Sequence, residues 1–170
     1  MHTIRLRGPW QLEPVFRHVL APDGSWTREL DYGDELPAAC HQTMPADWSA
    51  SLGTDFLGSV RYRRTFQRPT NLQPNDWVWL VVEPPRSSAG VHLGHHYLGS
   101  VCSGQSAARF EVNSLLEDRN ELTIFVSHPL LDGAGDPPDD GSVEAPGGLV
   151  GEVRLEITEG SEAPGHWTRV

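Results

Sequence analysis

Apolar residues in this chain recur at every second position, in short runs broken by glycine and proline. In 153–157, Val153, Leu155 and Ile157 alternate with Arg154 and Glu156. In 60–66, Val60, Tyr62 and Phe66 are interleaved with Arg61, Arg63 and Thr65. A period of two marks a strand with one buried face, and no long segment carries the 3.6-residue period of a helix. The 17 glycines and 14 prolines among 170 residues supply the turns that many short strands require. Short strands at this spacing close into two packed sheets or a barrel, so the expected fold class is all-β.

The length fits one domain, 1–170, with a core that needs no staples. Strands are predicted over 10–20, 25–30, 60–66, 77–82, 89–93, 109–112, 121–127 and 151–158. Pro22-Asp23-Gly24 reads as a turn in which Gly24 takes positive φ. Leu115 to Asp118 reads as a helical turn capped by Asn113. The long acidic loop 132–148 holds four aspartates, one glutamate, three prolines and five glycines. Loops of that length are functional or mobile. Residues 160–170 form a polar tail expected to fray unless Trp167 docks.

Two strands carry apolar residues on both faces. In 77–82, Val78, Leu80 and Val82 share one face while Trp77, Trp79 and Val81 share the other. In 121–127, Leu122, Ile124 and Val126 are core, and Phe125 falls opposite. An outer face bearing Trp77, Trp79 and Phe125 needs a second cover. Three covers are open: a loop or the N-terminal hairpin, a second subunit or protein partner, and a sugar stacked on the rings.

Composition excludes several classes. With 13 basic against 23 acidic residues the net charge is −10, which repels nucleic acid and anionic membranes. No apolar run approaches the roughly 18 residues of a membrane span. Ile4 and Leu6 alternate with arginines, so the N-terminus lacks the apolar core of a signal peptide. Cys40 and Cys102 then read as reduced thiols of a cytoplasmic protein, with a single bridge left open. There is no Gly-x-Ser-x-Gly elbow, phosphate loop or dinucleotide fingerprint. His92, His95 and His96 form the one histidine cluster. On a hairpin His95 and His96 point apart, and a clear third zinc ligand is missing, so they read as a surface hairpin rather than a metal site. Asp132-Gly133-Ala134-Gly135-Asp136 lacks the bidentate glutamate of an EF-hand.

Several segments, in order, carry a resemblance. They are Leu6-Arg7-Gly8-Pro9-Trp10, Met44-Pro45-Ala46-Asp47-Trp48, Phe56-Leu57-Gly58-Ser59-Val60-Arg61-Tyr62-Arg63-Arg64, Val91-His92-Leu93-Gly94, Asn120 to Val126 and Gly147 to Leu155. Over about 4–157 the chain resembles the N-terminal sugar-binding domain of glycoside hydrolase family 2. The resemblance implies a galactose-binding-like jelly-roll sandwich. In that family the catalytic carboxylates belong to a separate (β/α)8 barrel of about 200 residues or more, for which 170 residues leave no room. The expectation is therefore a non-enzyme without a placed carboxylate pair.

The same resemblance implies a sugar-pocket rim built from two loops. Asp55 stands before the Gly-x-x-x-Tyr-Arg-Arg strand, and Asp140 or Glu144 before the later Gly-x-Val-Arg strand. Trp48 and Arg64 complete the candidate set. For Asp55 the alternative is a turn residue bonding its own backbone, and for Arg64 a structural ion pair. Gly151 stands where the family places an arginine, and Gly94 where an asparagine is common. No cofactor is implied, apart from the structural calcium that galactose-binding-like folds often carry. The resulting expectation is a non-catalytic module that oligomerises or engages a protein partner. The alternative is a carbohydrate-binding module, and the remote one a truncated relative of a glycosidase.

Overall fold

The computed structural model describes residues 1–20, 22–23, 26–30, 36–128 and 146–160. Its strands are β1 (His2–Arg5), β2 (Trp10–Leu20), β3 (Trp26–Leu30), β4 (Cys40–Gln42), β5 (Ala46–Asp47), β6 (Gly58–Gln67), β7 (Trp77–Val82), β8 (Ser88–Leu93), β9 (His96–Cys102), β10 (Ala108–Glu111), β11 (Arg119–His128), β12 (Gly148–Leu149) and β13 (Val153–Thr158). Helix among these residues amounts to α1 (Ser49–Leu52) and one 3-10 turn, Asn113–Leu115. The fold is an all-β sandwich of the jelly-roll kind.

The smaller sheet runs β1-β13-β7-β10, and the larger runs β3-β2-β6-β11-β8-β9 with β4 beside β2. All pairings are antiparallel. Alternation decides which side of each strand is buried. Ile4, Leu155, Leu80 and Phe110 lie level across the smaller sheet, pointing inward. Leu12, Tyr62, Ile124 and Val91 do the same across the larger one. Val78, Leu80, Val82, Leu122, Ile124, Val126, Val153 and Leu155 are buried in one shared core, and Ile157 packs at its margin. Burying such side chains contributes about 1.5–3 kcal/mol each, the main force closing the sandwich.

Two local features set the end at which candidate groups gather. Gly58 opens β6 where the Phe16 carbonyl oxygen would lie 2.1 Å from any Cβ, so only glycine fits. The two-residue ladder β5–β12 then ties 46–47 to 148–149. Both constraints bring the 48–57 loop to the end of β11.

The eight predicted strands are all present, and β1, β4, β5, β9 and β12 join them. The helical turn lies two residues earlier than predicted, and Asn113 is not its cap. Its Oδ1 accepts from the Val78 N–H (2.7 Å) and its Nδ2 donates to the Asp76 carbonyl (2.7 Å), tying the turn to β7. Cys40 and Cys102 are separate free thiols, on β4 beside β2 and on the far edge strand β9. Among the described residues no helix is long and apolar enough to cross a membrane. Gly24, the greater part of 132–148, Asp140, Glu144 and Trp167 lie outside the described residues.

Candidate functional site

Gly58 faces His128 of β11 on one side and Arg17 of β2 on the other. The loop carrying Asp55 and the last residue of β11 therefore lie at the same end of the sandwich. Asp55 is exposed there, its side chain 83% accessible, with Arg17 Nη2 3.9 Å from Oδ2. Gly53 beneath it has φ of 98°, and a Cβ there would lie 2.9 Å from Asp55 Oδ1. An ion pair this long and wet contributes little stability, so both charges stay available to a ligand.

Trp48 corrects one expectation. It is fully buried, edge-on to Phe56 (5.5 Å) and His128 (6.1 Å), and Gly147 sits so close that a Cβ would lie 2.4 Å from the indole. Its ring plugs the core beneath the loop end and has no face to offer a sugar. Arg64 is a second correction. Six residues beyond Gly58 along β6, about 20 Å of strand, it stands at the opposite end from Asp55. There Nη1 donates to the Pro9 carbonyl at 3.1 Å, and burial lowers the guanidinium pKa. Of the proposed rim, the described residues place Asp55 alone on an exposed edge, with Arg17 as a neighbour the sequence reading missed.

The two glycine departures have local causes. At Gly151 a Cβ would lie 2.6 Å from Glu83 Cβ and 2.9 Å from its carbonyl oxygen, so an arginine does not fit. Gly94 has φ of 56° with open space around it, a hairpin conformation that asparagine also adopts.

Trp77, Trp79 and Phe125 do not share a face. The tryptophans lie on the outer surface of the smaller sheet, Phe125 on that of the larger one. Around Trp79 the cover is a lattice of ions rather than a loop. Arg154 meets Glu83 (2.8 Å) and Glu156 (2.9 Å), Arg5 meets Glu152 (2.8 Å), and Arg109 meets Glu156 (3.1 Å) while lying 5.2 Å over the Trp79 ring. Level with Arg5, Arg154 and Arg109 across the sheet is Val81, only 1% exposed on this outer face. Aliphatic arginine stems cover apolar surface while their heads stay wet. Burial opposes the Arg154 charge, but its bonds to Glu156 and Glu83 outweigh that and raise its pKa.

On the larger sheet Phe125 lies between Arg61 and Gly90 in register. His92 stands edge-on to it at 5.6 Å, and Tyr97 follows at 5.0 Å from His92. His95 and His96 do not point apart as expected: at the hairpin end their rings stand 4.1 Å from each other. Among the described residues no group of three His, Cys, Asp or Glu side chains could hold a metal. Asp132 to Asp136 lie outside those residues.

No protein-family model and no curated protein matches this sequence. Among solved structures, an FMN-binding β-glucuronidase from Faecalibacterium prausnitzii is 26% identical with a TM-score of 0.63, covering 92% of this chain and 22% of its own. The Bifidobacterium dentium β-glucuronidase, complexed with coumarin-3-O-glucuronide, is 18% identical at TM-score 0.64, covering 95% and 30%. A β-D-glucuronidase from Dictyoglomus thermophilum is 13% identical at 0.63, covering 94% and 28%. The chain thus spans less than a third of the length of each.

Proposed function

We propose that this chain is a non-catalytic β-sandwich module that binds carbohydrate. The observation that carries the reading is the asymmetry of the structural match: nearly all of this chain corresponds to a minor part of much larger β-glucuronidases. The exposed Asp55 and Arg17 at the loop end add polar groups suited to sugar hydroxyls, one an acceptor and one a donor. The names of those enzymes make β-glucuronides the first ligands to test. The purified protein is expected to bind saccharides but not to hydrolyse aryl β-glucuronide, β-galactoside or β-mannoside above background. Turnover that disappears in Asp55→Ala would overturn the non-catalytic reading.

A protein-interaction or oligomerising role is the second reading. It is favoured by the length of the similar chains, in which such a sandwich is joined to far more protein. One argument for it is weaker than the sequence suggests, because Arg109 covers Trp79 from within the same chain. A concentration-independent monomer by light scattering counts against self-association.

A further inference from the structure

We infer that Tyr97, His92 and Phe125 on the outer face of the larger sheet form a saccharide-stacking shelf, distinct from the loop end that carries Asp55. The inference rests on the carbohydrate reading above and adds a second surface for the same class of ligand.

Three strands put these rings in a row. Phe125 comes from β11, His92 from β8 and Tyr97 from β9, with successive centroids 5.6 and 5.0 Å apart and ring planes turned by 78° and 51°, so the row is stepped rather than flat. The row crosses two inter-strand spacings, on the order of 10 Å. Tyr97 is 61% exposed, a large aromatic offered to solvent from a strand, where the β8–β9 register shifts between Val91 and His92, rather than from a loop. It leans over Gly90, whose missing side chain keeps the floor low; a Cβ there would already touch Tyr97 Cε2 at 3.7 Å. Strand-borne rings are held by the ladder and lose little freedom on binding.

The polar edge of the shelf suits a polyhydroxylated ligand. Arg61, level with Phe125, is held by Glu13 through Nη2 at 2.6 Å and Nε at 3.3 Å. Both side chains remain about one-third accessible. Arg63 Nη2 also lies 3.8 Å from Glu13, so the edge sets one acceptor between two donors, which adjacent sugar hydroxyls can use together. A pyranose presents polarised C–H groups on one face, and the negative face of an aromatic ring complements them. Two other occupants fit less well. A second protein copy needs roughly 800 Å² per partner, while three partly exposed rings supply far less apolar area. A nucleic acid would stack equally well, but a chain of net charge −10 repels a polyanion.

The test is affinity electrophoresis of the whole chain in gels containing xylan, galactomannan or mixed-linkage β-glucan, with polygalacturonate and single-stranded DNA as polyanion controls. Tyr97→Ala, Phe125→Ala and, as a control outside both surfaces, the exposed Arg68→Ala are run beside wild type, and circular dichroism checks each fold. Because Tyr97 is exposed, its replacement leaves the fold intact. The expected result is retardation by at least one neutral polysaccharide, weakened about threefold to tenfold in Tyr97→Ala and in Phe125→Ala, the value of one lost stacking contact, and retained in Arg68→Ala. Equal retardation of wild type and Tyr97→Ala overturns the shelf and leaves the carbohydrate reading standing. A wild type retarded by none of the polysaccharides overturns both. Retardation by DNA that depends on Tyr97 overturns the saccharide assignment.

Discussion

Gly58 shows how one residue commits this fold. The β2 bulge between Pro14 and Phe16 pushes the Phe16 carbonyl into the space that a side chain at 58 would occupy. Only a residue without a Cβ lets β2 and β6 stay hydrogen-bonded up to the loop end. Gly58→Ala is expected to cost about 3 kcal/mol or more, because backbone must move on both strands. Urea denaturation measures this directly, and a loss within about 0.5 kcal/mol, typical of a neutral surface change, would mean the contact relaxes freely. Asp47 acts locally in the opposite sense. The Ser49 hydroxyl and backbone N–H both donate to its carboxylate and lower its pKa, fixing the turn into α1.

At the scale of elements, the outer face of the smaller sheet is held by its own charges. Glu83 accepts from the Glu152 backbone N–H at 2.9 Å and from Arg154 Nη1 at 2.8 Å, joining the end of β7 to β13. The backbone bond is the largest cause lowering the Glu83 pKa from its ordinary 4.5, with Arg154 adding to it against the opposing effect of burial. A carboxyl whose folded pKa is depressed stabilises the fold above its unfolded value, and that contribution is lost as pH falls through the folded one. Stability should therefore decline as pH drops below about 4.5, with Asp47 adding the same sign at lower pH. Glu83→Gln is expected to flatten the upper part of that decline. Urea midpoints measured between pH 3 and 7 check it: parallel curves for wild type and variant would show that Glu83 carries none of it.

At the scale of the molecule, the order of strands makes folding non-local. β1 at residues 2–5 pairs with β13 at 153–158, and β6 is bracketed by β2 and β11. Nearly the whole chain must be gathered before the smaller sheet exists, so loop closure precedes most of the reward. Refolding is expected on the millisecond-to-second scale of non-local β domains. Stopped-flow tryptophan fluorescence measures it, and completion within tens of microseconds would contradict this topology. The same order places the two outer faces on different sheets. An ion lattice lies over one, and an aromatic row remains open on the other.

Much of this was legible in the primary structure, because a period of two in Val153-Leu155-Ile157 or Leu122-Ile124-Val126 reports burial on one face without reference to any partner. The turn glycines and the all-β class follow from the same local physics. Short pairings such as β5 with β12 were not legible, since two-residue ladders have no periodicity and exist only when distant segments meet. Nor could alternation say which outer face a residue shares. Trp79 and Phe125 look equivalent within their own strands, yet sheet order puts one under Arg109 and the other beside His92 and Tyr97. Trp48 looked like a rim aromatic, and only the close approach of Gly147, Phe56 and His128 makes it core. The sequence by itself determined which residues alternate and where the chain turns, because those are properties of neighbours along the backbone. The tertiary structure alone decided which aromatics are covered and which are offered, because cover comes from residues remote in the chain.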